Sequence, residues 1–187
     1  MSSQRPWWHS LANFLGLQGG WFVCAWGAAE GRPWAGPLFV AGYMLIHLRW
    51  LAQDWRKEAG FIAVVCVLGF AVDGVMSGTG FLVYASPLTN LPWLAPVWIV
   101  GMWALFASAF NVSLAWLQGR PWLAFALGAV FGPLSYEAGA RLGGVSFTAD
   151  WWVSMAVLAL VWGVVTAGLA AVATGLYQRE LKNNVTV

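Results

Sequence analysis

Six predominantly apolar runs divide the chain: residues 8–29, 33–51, 58–78, 92–117, 121–142 and 151–177. Each is close to the ~20 apolar residues that a helix needs to cross a bilayer core. Polar turn signals separate them, namely Glu30-Gly-Arg-Pro, Gln53-Asp-Trp-Arg-Lys, Gln118-Gly-Arg-Pro and the stretch from Gly143 to Asp150. Pro33, Pro92 and Pro121 open their runs, where a missing backbone N–H costs nothing. The pattern predicts an all-α fold, a membrane bundle of six transmembrane helices forming a single domain over residues 1–187. Loop 79–91 is long, uncharged and apolar, so it is expected to lie on the membrane surface or dip into the bundle as a re-entrant segment. The first run follows Arg5 and resembles a signal core. Trp7, Trp8, Asn13 and Gln18 fit such a core poorly, and Val23 is too large to precede a lipidated Cys24, so a retained helix is expected.

Composition supports the membrane reading. Apolar residues make up 60% of the chain and charged residues 9%, where a soluble domain carries about a quarter charged residues. So few charges cannot cover a water-facing surface of this size. The net charge of +2 and the lack of any Lys/Arg cluster exclude a nucleic-acid partner. Cys24 and Cys66 sit in apolar runs without metal or redox spacing and read as buried thiols.

Basic residues orient the bundle, because cytoplasmic loops retain Lys and Arg. One side collects Arg5, Arg49, Arg56, Lys57, Arg120, Arg179 and Lys182, and the other only Arg32 and Arg141, which predicts cytoplasmic N- and C-termini. Twelve of the 15 tryptophans fall near proposed helix borders, as an aromatic belt requires; Trp21, Trp103 and Trp162 lie mid-span. Small residues recur every four positions at Ala12/Gly16/Gly20, Ala124/Gly128/Gly132 and Gly163/Ala167/Ala171/Gly175. Such ridges allow close helix packing. They serve either packing within the bundle or docking of a membrane partner or second copy.

Ionisable groups at membrane depth are costly and mark functional candidates. Asp73 and Glu137 lie ~15 and ~16 residues into outward-running helices, hence at similar depth in the outer half. Arg141 is placed for an i,i+4 ion pair with Glu137, and Tyr84, Ser135 and Tyr136 supply hydroxyls nearby. Pro133, one turn below, frees a backbone carbonyl. Asp73, Glu137, Arg141, Tyr136 and Tyr84 therefore form a candidate ligand-binding set, against the plainer reading of a Glu137–Arg141 ion pair, with Asp73 held protonated or hydrogen-bonded, that fixes helix register. His9 and His47 are too few for a membrane di-iron site. No nucleotide, nucleophile-elbow or zinc motif is present, so no cofactor or metal is expected. Asn13, Gln18, Ser108, Asn111 and Ser113 form a polar inner-half set suited to hydrogen bonds between helices.

The segments Leu91-Pro-Trp-Leu-Ala-Pro-Val-Trp, Phe106-Ala-Ser-Ala-Phe-Asn-Val-Ser-Leu-Ala-Trp116 and Gly128-Ala-Val-Phe-Gly-Pro-Leu-Ser-Tyr-Glu-Ala-Gly-Ala-Arg-Leu-Gly143, with Asp73-Gly, resemble an uncharacterised family of small polytopic bacterial inner-membrane proteins, known only as a domain of unknown function. The resemblance implies an inner-membrane location and gene neighbours that modify fatty acids, but it carries across no catalytic residue. Three functions compete. The first is an accessory of lipid metabolism that binds a lipid or small amphipathic ligand in the outer-half pocket. The second is a membrane-embedded enzyme using Asp73 or Glu137 as acid or base. The third is a small transporter or its substrate-binding subunit.

Overall fold

A computed structural model describes residues 6–88 and 90–183, with side chains up to Leu176; Arg5, and the side chains of Arg179 and Lys182 in the basic count, lie outside the described set. Six α-helices account for most of it: α1 (Trp7–Ala29), α2 (Ala35–Ile46), α3 (Trp55–Gly78), α4 (Val97–Ala109), α5 (Pro121–Arg141) and α6 (Trp151–Asn183). A π-helical turn, His47–Leu51, extends α2, and a 3₁₀ turn, Ala115–Leu117, precedes α5. Asp54 caps α3 by accepting hydrogen bonds from the Arg56 and Lys57 amides, and Pro121 opens α5 where an N–H would be unpaired.

Three described helices, α3, α5 and α6 up to Leu176, are long and apolar enough to cross a membrane; α4 is a shorter apolar helix. The distribution of residues is that of a membrane protein. Asn13, His47, Glu58, Asp73, Ser108 and Asn111 are buried, while Leu38, Leu45, Val64, Val67 and Val75 are at least 65% exposed. Water would favour the reverse, whereas lipid rewards an apolar exterior and polar groups that bond one another inside.

Two segments depart from the hydrophobic pattern. The run 92–117 forms a helix only over 97–109. Pro92 and Pro96 delay its start, since the residue before a proline avoids the helical region. After Ala109 the backbone makes short turn hydrogen bonds instead of a continuous α-helical ladder, and side chains tie the segment to its neighbours. Asn111 reaches Glu58, Ser113 reaches Asn13, and Gln118 donates back to the Phe110 carbonyl. Loop 79–91 contains a short strand, β1 (Leu82–Tyr84), which pairs antiparallel with β2 (Val145–Phe147), Tyr84 standing opposite Val145.

The helices form two groups. α1 to α4 pack together, with α4 touching α1, α2 and α3, and α5 packs chiefly on α6. The small-residue ridges make much of this possible. A Cβ at Gly16 would overlap the Tyr43 ring, one at Gly20 would meet Leu105, and one at Gly128 would overlap the Trp162 carbonyl and Thr166. The β-ribbon joins the two groups at one end, and a stack of Trp103 on Trp162, centroids 4.9 Å apart, joins them in the middle. Along α1 and α5 they barely touch, and a cavity remains.

Candidate functional site

Asp73 sits about five turns into α3, fully buried, in the wall of this cavity. Its carboxylate collects donors from three other elements. The indole Nε1–H of Trp103 on α4 donates to Oδ2 at 2.5 Å, and the Tyr136 hydroxyl on α5 donates to Oδ1 at 2.6 Å. The Tyr84 hydroxyl on β1 donates to the same Oδ1. Strand alternation turns Tyr84 inward, with Val83 outward. Tyr84 is then held edge-on by Trp98, whose own indole N–H donates to the Ala85 carbonyl at 3.1 Å.

Glycines set the indole positions. A Cβ at Gly69, one turn before Asp73 on α3, would overlap the five-membered ring of Trp103. A Cβ at Gly132 on α5 would overlap Trp162 in the same way. The stacked indoles thus lie between two helix surfaces that lack side chains. Trp103 was the residue hardest to find from sequence. Its signal was its position, since it is one of only three tryptophans away from the proposed borders, and Trp21, Trp103 and Trp162 all line the cavity.

The cavity has a volume of about 780 Å³, within the ~300–1,000 Å³ of ligand sites. α1 contributes one face through Phe14, Leu17, Trp21 and Ala25, and α5 contributes Leu127, Phe131 and Leu134 opposite. α4 supplies Met102 and Phe106, and α6 supplies Trp162 and Thr166. The polar side chains along it are few: Asp73, Tyr84, Tyr136, Gln18, Ser135 and Thr166, together with the indole N–H groups of its tryptophans, of which that of Trp162 is buried without a hydrogen-bond partner. Phe14, Phe131 and Leu134 are 48%, 62% and 55% exposed, so the cavity opens sideways between α1 and α5.

Of the five residues expected to form the site, three converge: Asp73, Tyr84 and Tyr136. Glu137 follows Tyr136 in the chain, and the ~100° step of a helix turns it away. Its carboxylate accepts from Arg141 Nε at 2.8 Å and from Trp151 Nε1 at 2.9 Å, at the start of α6. The Arg141 side chain is 79% exposed, and neither residue lines the cavity.

A second buried carboxylate lies on the same helix as Asp73, at a position that no sequence motif marks. Glu58, in the first turn of α3, is fully buried. His47 Nε2 lies 3.0 Å from its Oε1, and Asn111 Nδ2 donates to Oε2 at 2.8 Å. Next to it, Asn13 donates to the Tyr43 hydroxyl at 2.9 Å and accepts from Ser113 Oγ at 2.5 Å. These groups stitch α1, α2, α3 and the segment after α4 together. His9 instead packs edge-on against Trp8, so the two histidines have different surroundings. Among the described residues no three His, Cys, Asp or Glu side chains gather as a metal site would require.

The profile of a family described as "Protein of unknown function (DUF2878)" matches residues 10–168, and the chain belongs to that family. No curated protein and no solved structure matches.

Proposed function

We propose that this DUF2878 protein is a six-span protein of the bacterial inner membrane, with both termini cytoplasmic. It binds a lipid or small amphipathic ligand in the cavity between α1 and α5 and acts as an accessory of lipid metabolism. The observation that carries the reading is the cavity itself: about 780 Å³, apolar and aromatic along its length, polar around Asp73. That is the shape of a site for a molecule with a chain and a small head. The exposed Phe14, Phe131 and Leu134 mark a sideways entrance, suited to a ligand arriving from lipid rather than from water. Membrane lipids are its partners in this reading. Arg141, exposed and paired with Glu137, lies outside the cavity lining and takes no part in this reading.

Comparing lipids bound to the purified protein with the bulk membrane extract tests the proposal. The wild type is expected to carry one enriched species, and Leu127→Trp, which fills the cavity, to lose it. A folded wild type whose bound lipids match the bulk extract, with the same profile in Leu127→Trp, would overturn it.

A further inference from the structure

The proposed function leaves the chemistry of the ligand's head open, and the charge inventory of the cavity narrows it. Among the described residues no Lys, Arg or His side chain lines the cavity, and Asp73 is its one carboxyl group. The three groups bonded to Asp73 are neutral donors, two phenols and an indole. They stabilise a negative carboxylate without balancing it. None of the ion pairs among the described residues involves Asp73. A buried carboxylate without a cation is costly, and an anionic head placed against Asp73 would face a like charge.

The walls favour the opposite sign. Trp21, Trp98, Trp103, Trp162, Phe106 and Phe131 present aromatic rings to the cavity, and ring faces attract cations, most strongly where water is excluded. The phenol oxygens of Tyr84 and Tyr136 donate to Asp73 and keep lone pairs that accept from an ammonium. The Thr166 hydroxyl is buried, lines the cavity and has no hydrogen-bond partner.

We infer that the cavity takes a cationic amphiphile, a long-chain amine or an amine-headed lipid, with the ammonium at Asp73 and the chain running between α1 and α5. The inference rests on the proposed function, and the test separates the two.

Hexadecylamine, hexadecanol and hexadecanesulfonate share one chain and differ in head charge. Their binding to the purified protein in a maltoside detergent is measured by native mass spectrometry, for the wild type, Asp73→Asn, Glu137→Gln and Leu127→Trp. The amine is expected to bind the wild type at least tenfold more tightly than the other two. That preference should survive Glu137→Gln, disappear in Asp73→Asn, and all binding should fall in Leu127→Trp. Equal affinities for the three heads in the wild type overturn the cationic inference while leaving the cavity reading in place. So does an amine preference that persists in Asp73→Asn. Should Asp73→Asn fail to fold, the wild-type comparison of the three heads decides alone. Absence of binding by all three probes, or binding unchanged in Leu127→Trp, overturns the cavity reading and the inference with it.

Discussion

Replacing Asp73 by Asn exchanges one acceptor oxygen for a donor NH₂ at nearly constant volume. If the carboxamide oxygen keeps the two tyrosine hydroxyls now on Oδ1, the NH₂ faces the Trp103 indole N–H, 2.5 Å from the present Oδ2. An indole nitrogen only donates, so two donors then oppose each other. In the reverse orientation the NH₂ can donate to the tyrosine oxygens, but the two hydroxyl protons lose the acceptor they now share. Either way a buried donor is left unsatisfied, which costs about 1–3 kcal/mol. At ~2–4 °C per kcal/mol for a chain of this size, the melting temperature should fall by roughly 2–12 °C. Unfolding can be followed with a thiol-reactive fluorophore, because Cys24 and Cys66 are free, the first buried and the second half-buried. The decisive measurement is the double-mutant cycle with Trp103→Phe, which deletes the opposing donor. In that background Asp73→Asn should cost less, with a coupling of ~1 kcal/mol or more. Additive effects within ~0.3–0.5 kcal/mol, or a neutral Asp73→Asn, would refute the bonding pattern on which the site rests.

Gly69→Ala should displace the Trp103 ring and destabilise by ~1–3 kcal/mol, whereas Gly74→Ala on the same helix meets nothing within 4 Å and should be near neutral in the same assay. Glu58→Ala leaves His47 buried without its partner and should cost about 3–5 kcal/mol. Glu137→Ala, at a half-exposed pair, should leave the melting temperature close to wild type, and a large drop would mean that this pair holds the bundle together. A C-terminal green fluorescent protein fusion should fluoresce and an alkaline phosphatase fusion should be inactive; the opposite pattern would place the C-terminus outside.

Legibility in the sequence followed the kind of force at work. α1, α3, α5 and α6 start and end close to their apolar runs because uninterrupted apolar stretches with capping or proline starts have no competing local structure. α4 ends early because Asn111 and Ser113 are bound to partners far away in the chain and Gln118 folds back on the Phe110 carbonyl, none of which hydrophobicity registers. The β-ribbon escaped notice for a related reason, since three-residue strands form only through pairing with a remote segment. Asp73 with Tyr84 and Tyr136 was visible as charge and hydroxyls at depth. Glu137 shared that depth, but counting residues along a helix gives height more readily than the facing of a side chain. Glu58 opens the third apolar run beside Asp54, Arg56 and Lys57, where a charge needs no explanation, and its burial comes from His47 and Asn111, which sequence spacing does not bring to it.

α3 carries two fully buried carboxylates, and the contrast between them bears on function. Apolar exclusion does not hold helices together in lipid, so polar groups bonded across helices take over part of that work. The Glu58 cluster fits this role: α2, α3 and the segment after α4 close around it, and none of Glu58, His47 and Asn111 borders the cavity. Polar glue favours close approach of the elements it joins. At Asp73 the outcome differs, because α5 reaches the carboxylate through the Tyr136 hydroxyl while its face stays apart from α1 across a cavity of about 780 Å³. Gly128 and Gly132 show that α5 packs tightly where it packs at all, against α6. The gap on its other side is therefore not a general looseness of the helix. Packing accounts for the Glu58 carboxylate and only in part for that of Asp73; the part left over is the space beside Asp73.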